Sequence, residues 1–177
     1  VGWVADLEFL PDEKTLASVS ADETIRLWDI ETLKPKTVLH GHRAEVWRVV
    51  AYGRDKIITS AKDGALLVWD ATAVDENHAL SIIPEPVMRW AFSADSKAIL
   101  AINAEGTVAR WSGKDFQQKA VVLTMGTLPV GSCFSPDGAI AAGGTTNGGI
   151  QIWNLASRQM VREFAAHTNA AVAVALS

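Results

Sequence analysis

Cysteine is almost absent, with Cys133 the only one among 177 residues. A single thiol rules out an intrachain disulfide and a thiolate metal site, and it favours a reducing compartment. Basic clusters are missing too: no cationic run exceeds a residue or two, and the net charge is −4. Neither nucleic acid nor an anionic membrane surface is therefore expected as a direct partner. No apolar run approaches the roughly 18–20 residues of a membrane span. The opening Val1-Gly2-Trp3-Val4-Ala5-Asp6 lacks the basic start and long apolar stretch of a secretory signal. The expected location is cytoplasmic, with a removed leader left open because the chain does not begin with Met.

Residue sets for chemistry are equally sparse. His40, His42, His78 and His167 are too scattered for a zinc motif such as His-Glu-x-x-His. The glycines from Gly143 to Gly149 lack the Lys-Ser/Thr of a phosphate loop and read as a turn. Asp12, Asp95 and Asp137 recur in one turn of successive segments, which makes them turn formers and not a carboxylate pair. No catalytic residue, metal ligand or cofactor is expected.

What is present is a repeat. Hydrophobic residues make up 49% and charged residues 20%, a composition able to bury a core. Trp28, Trp69, Trp111 and Trp153 stand 41, 42 and 42 residues apart, each closing a short apolar run. Upstream of each lies a second run: Leu16–Val19, Ile57–Thr59, Ala98–Ile102 and Ala139–Ala142. These are apolar on consecutive residues, as strands are when both sheet faces are covered. Cys133 falls in another such strand and reads as a core residue. In the segment from Leu39 to Asp70, Gly41-His42 opens the unit and Trp69-Asp70 closes it.

That order resembles the WD-repeat (WD40) family, whose signature is a Gly-His near the start and a Trp-Asp near the end, at a 40–45-residue period. The resemblance implies an all-β chain, a β-propeller of four-stranded antiparallel blades in which almost no helix occurs. The blades are expected at about 1–40, 41–83, 84–124 and 125–165, with 166–177 starting a fifth repeat. Ala171, Val174 and Leu176 repeat the spacing of Val46, Val49 and Ala51. Both ends thus fall inside a repeat, and the chain is expected to be part of a seven- or eight-bladed ring. An open arc would leave its first and last blades each with one bare apolar face.

The family's polar set joins a His, a Ser or Thr, an Asp and the Trp, relaying the indole N–H to a buried carboxylate. Carried over position by position, the second unit holds all four as His42, Thr59, Asp63 and Trp69. The first holds Ser18, Asp22 and Trp28, with its His position falling before Val1. The third keeps Trp111 but has Ala101 and Glu105, and the fourth keeps Trp153 but has Gly143 and Asn147. His42 beside Asp63 could also be a catalytic dyad or part of a metal site, but no nucleophile is phased beside it. Trp90 substitutes for an inner-strand aliphatic and reads as core.

In propellers of this family the loop face around the channel most often binds partners. Trp3, Trp47, Met88, Leu128 and Val130 fall there and would form an apolar patch for a protein or peptide. Packing of Trp3 and Trp47 between blades is the competing reading. The chain is thus expected to be a non-catalytic protein-binding scaffold. The alternatives are an assembly unit that completes an eight-bladed ring by homodimerisation through exposed blade faces, and the accessory propeller of a multidomain enzyme.

Overall fold

The computed structural model describes residues 2–72, 79–83, 87–93, 97–113, 116–125, 131–171 and 174–176. The chain folds into two compact units, residues 1–85 and 86–177. Among the described residues there is no α-helix.

The first unit contains two sheets. One runs β1 (Val4–Phe9), β2 (Thr15–Ser20), β3 (Ile25–Asp29) and β4 (Lys34–Leu39). The other runs β5 (Val46–Tyr52), β6 (Lys56–Ala61), β7 (Leu66–Asp70) and β8 (Ala79–Ile83). Each is an antiparallel meander in which sequence neighbours are sheet neighbours. Ala17, Val19, Ile25 and Leu27 of the first sheet and Val46, Val49, Ile57 and Trp69 of the second share one buried cluster. Burying these branched side chains stabilises the pair at about 25 cal/mol per Å² of apolar surface removed from water.

The second unit repeats the plan. Its sheets are β9 (Val87–Phe92), β10 (Ile99–Asn103), β11 (Thr107–Ser112) and β12 (Gln118–Thr124), then β13 (Gly131–Phe134), β14 (Ile140–Gly144), β15 (Gly149–Asn154) and β16 (Gln159–Ala165). Leu100, Ile102, Val108 and Leu123 of one sheet pack with Ala141 and Phe134 of the other. The all-β class of four four-stranded antiparallel sheets is the one expected from the Trp period.

The turn between the second and third strand repeats its backbone as well. Glu23, Gly64, Gly106 and Gly148 all have positive φ, of 70°, 81°, 76° and 84°. Glycine enters this region without steric cost, whereas Glu23 carries a penalty of roughly 1–2 kcal/mol.

The inner edge of β5 is not left bare. The Val49 N–H donates to Asp6 Oδ2 at 3.2 Å and the Ala51 N–H donates to Glu8 Oε1 at 3.3 Å. Carboxylates from β1 thereby occupy donors that would otherwise stand open on an edge strand. Because alternate residues face opposite ways, Leu7 and Phe9 are turned away from β5, and they are 55% and 59% exposed.

The described residues from Ala166 to Leu176 form no strand, yet they lie against the last sheet. The Ala166 and His167 N–H groups donate to the Gly148 carbonyl, and the Ala171 N–H donates to that of Thr145. The Leu176 N–H meets the Cys133 sulfur, as that of Ala51 meets Glu8; Leu176 and Ala51 are counterparts in the repeat, as are Cys133 and Glu8. Cys133 and Trp90, both read from sequence as core, are half-buried. Trp90 instead packs edge-on against Phe92, ring centres 5.8 Å apart.

Gly144 marks how closely this segment docks, since a Cβ there would lie 2.0 Å from the Ala171 carbonyl oxygen. Backbone cannot yield as a flexible side chain does. Gly144→Ala should therefore lower stability by about 1–3 kcal/mol, or release residues 166–171 to protease. Chemical denaturation and limited proteolysis read both outcomes, and an unchanged midpoint with intact protection would show that the segment does not dock.

Candidate functional site

In the second sheet four side chains form one continuous hydrogen-bonded chain. The Trp69 indole N–H donates to Thr59 Oγ1 at 2.8 Å. Thr59 Oγ1 lies 2.8 Å from His42 Nε2, and His42 Nδ1 lies 3.1 Å from Asp63 Oδ2. Asp63 also accepts the Arg43 N–H at 2.8 Å and the Ala65 N–H at 2.9 Å. β7 supplies Trp69 and β6 supplies Thr59. His42 comes from the loop entering β5, and Asp63 from the turn between β6 and β7.

One proton arrangement satisfies every member. The indole donates to the hydroxyl, the hydroxyl to Nε2, and the Nδ1–H to the carboxylate, with the imidazole neutral. Burial pushes the His42 pKa below its usual 6.5, outweighing the upward pull of Asp63. Burial pulls Asp63 upward, but the Arg43 and Ala65 N–H groups and His42 outweigh it, holding the carboxyl below 3.8.

Hydroxyl, imidazole and carboxylate in this order also describe a hydrolase triad. Here Thr59 is fully buried and His42 only 6% exposed, while the indole N–H already occupies the Thr59 oxygen. A nucleophile needs room for a carbonyl carbon about 3 Å away and donors for the oxyanion. With its oxygen enclosed and already bonded, this set is placed to pin strands together.

The other sheets show what happens without all four residues. In the first, the Trp28 N–H donates to Ser18 Oγ at 2.8 Å. Asp22 instead accepts from Thr24 and from Arg26 Nη2, at 2.6 and 3.2 Å, and no hydrogen bond links it to Ser18 among the described residues. The sequence grouped Asp22 with Ser18 and Trp28 without a His to bridge them, and Asp22 is held in its own turn, where the Thr24 hydroxyl leads the interactions that lower its pKa. In the third sheet Ala101 offers no hydroxyl, and Lys119 Nζ sits 5.5 Å from the Trp111 ring centre. In the fourth, Gly143 stands where the hydroxyl would be, and the buried Trp153 Nε1 has no hydrogen-bond partner among the described residues.

The loop-face residues lie apart from this set. Trp3 is 62%, Trp47 46% and Met88 47% exposed, while Leu128 and Val130 lie outside the described residues. Trp47 and Met88 occupy β-bulges. Val46 pairs with Ala61 and Arg48 with Ser60, leaving Trp47 as the extra residue. Val87 pairs with Asn103 and Arg89 with Ile102, leaving Met88. The first sheet has its bulge at the same place, at Ala5. Periodicity could not reveal these bulges, because Val46-Trp47-Arg48-Val49 reads as an ordinary strand. Nor did it single out the Asp6 and Glu8 bonds to β5.

A sequence model described as "WD domain, G-beta repeat" matches residues 1–29 and 33–70. Residues 1–70 belong to the WD-repeat family. The remaining two sheets carry the same Trp period with a worn polar set. Among curated proteins, it is 26% identical over 158 residues to apoptotic protease-activating factor 1 of Rattus norvegicus, covering 89% of this chain and 13% of that protein. It is 26% identical over 184 residues to mitochondrial division protein 1 of Kluyveromyces lactis, covering 85% and 26%. It is 22% identical over 179 residues to autophagy-related protein 16 of Arabidopsis thaliana, covering 99% and 35%. The chain thus spans about a third or less of the length of these relatives. The crystal structure of the Myceliophteria thermophila Cps50 (Swd1) beta-propeller domain superposes with a TM-score of 0.71 at 16% identity, over 96% of this chain and 57% of that one. The fold is that of a β-propeller.

Two outcomes follow from the polar set. His42 is held neutral in the fold, so between the usual His pKa of 6.5 and its lowered folded value the unfolded chain binds more protons. Stability should therefore fall as pH drops through about 6.5, and again below 3.8 as Asp63 is protonated. His42→Ala should cost roughly 1–3 kcal/mol and remove the first of these steps. Denaturant midpoints at pH 7.5 and 5.5 measure it, and an unchanged slope in the variant would remove His42 from the account. Trp69→Phe should cost about 1 kcal/mol more than Trp153→Phe, because only Trp69 loses a hydrogen bond; thermal melts of the two variants compare them.

Proposed function

We propose that the chain is a non-catalytic scaffold that binds a protein or peptide through its loop face. The observation that carries this reading is the pair of bulges at one repeat position. A regular strand turns successive side chains to opposite faces, whereas a bulge re-aims one of them. At this position Trp47 and Met88 are turned outward and remain about half exposed. Large apolar side chains held on rigid strands lose little entropy on binding, and such anchors dominate interface energetics. The exposure also weighs against the competing reading in which Trp47 is packing between blades.

A second reading has its own observation. Val4, Leu7 and Phe9 are 58%, 55% and 59% exposed on β1, which suits association of that sheet with a further blade, including one from a second copy. Analytical ultracentrifugation tests it, and a monomer at micromolar concentration would remove self-association.

For the loop face, the test is selection of a random peptide library on the 177-residue chain, followed by affinity measurement. Trp47→Ala should weaken the retained peptides by at least about tenfold while changing stability by less than ~1 kcal/mol. A stability loss on the scale of roughly 3–5 kcal/mol, that of a core Trp, with binding intact would make Trp47 a packing residue.

A further inference from the structure

We infer that this loop face is built for an acidic peptide bearing an apolar side chain, an inference that rests on the loop-face reading above. The bulges at Trp47 and Met88 each expose two consecutive residues and not one. On β5, Val46 and Val49 are buried while Trp47 and Arg48 between them are both exposed. On β9, Met88 and Arg89 are exposed together at the same place in the repeat. Two successive blades thus present the same pair, a large apolar side chain followed by a guanidinium.

The arginines are free to meet an anion. Neither Arg48 nor Arg89 forms an ion pair among the described residues, and Arg89 Nη1 donates only to the neighbouring Met88 carbonyl at 2.8 Å. The acids around Arg48 already have partners. Glu45 pairs with Lys62 at 3.6 Å, and Asp63 is held by His42 and two N–H groups. Asp6 on the neighbouring inner strand accepts the N–H groups of Val49 and Leu7. On a chain of net charge −4, this position therefore offers cations with no ion-pair partner among the described residues. An apolar anchor beside a guanidinium fits a segment in which Leu, Ile or Phe adjoins Asp or Glu, the carboxylate meeting the fork of the arginine. Such charge complementarity favours acidic partners over basic ones and speeds their encounter.

The composition of the peptides retained by the 177-residue chain decides the matter. The retained pool should be enriched in Asp and Glu next to a large apolar residue. Arg48→Glu should weaken peptides that depend on Trp47, and Arg89→Glu those that depend on Met88, by about tenfold or more, and binding should also weaken as NaCl is raised. Both side chains are exposed, so circular dichroism melts should stay unchanged. Retained peptides that depend on Trp47 but are neutral or basic, or that ignore both arginine reversals, would overturn the acidic partner while leaving the loop face standing. A pool in which no peptide depends on Trp47 or Met88 would remove the loop-face reading and this inference with it.

Discussion

A buried indole N–H has one donor and no water to turn to, and the blades differ mainly in how they answer it. In the second blade the answer is complete: Thr59 accepts from Trp69 and passes the demand through His42 to Asp63. This chain ties together β6, β7 and the loop entering β5, three segments that apolar contact alone would leave free to slide. A strand slipped by one residue would turn Thr59 away from Trp69 and bring an apolar face to solvent. The polar set thus fixes register where the core supplies only cohesion.

The worn blades show that the demand can be met in part or left standing. Ser18 answers Trp28 directly, and its blade lets Asp22 serve the Thr24 turn instead. In the third blade the Lys119 ammonium stands over the Trp111 ring, a contact worth roughly 0.5–1 kcal/mol at a half-open site. In the fourth, Gly143 removes the acceptor and the Trp153 N–H finds no partner among the described residues. Apolar packing of Phe134 and Trp153 against Leu100, Ile102 and Val108 holds that unit together all the same. Fold and polar set are therefore separable, with the set adding definition to a blade that burial already stabilises.

Much of this was legible because Trp at a 41- or 42-residue step is a strong signal, and His42, Thr59, Asp63 and Trp69 keep family spacing. Contacts that depend on neighbouring blades were harder to read. Nothing in the spacing of Asp6 and Val49 announces that one accepts the other's N–H, because that bond arises only when two inner strands lie side by side. Bulges are hidden for a different reason: one extra residue in a short strand leaves the apolar pattern almost unchanged. Asp22 has no His among the described residues to join it to Ser18, and it is held by its own turn through Thr24 and Arg26, which are near in sequence and cost little chain entropy to engage. Glu23 is another such case, holding a left-handed turn where Gly64, Gly106 and Gly148 mark the same turn openly.

Rigidity of the core and exposure of the loop face are linked through a few residues of the second blade. His42 and the Arg43 N–H both bind Asp63, so the loop before β5 is fastened at its start. Val46 and Val49 are buried on either side of the bulge, which fastens the strand. Trp47 and Arg48 lie between these two anchors, so their backbone is held while their side chains stay exposed. Backbone held in this way is ordered on folding, at a cost of roughly 1–2 kcal/mol per residue, whereas the two exposed side chains keep their rotamer freedom. The Trp–Thr–His–Asp chain, buried except at Asp63, thereby fixes the backbone that presents Trp47 and Arg48.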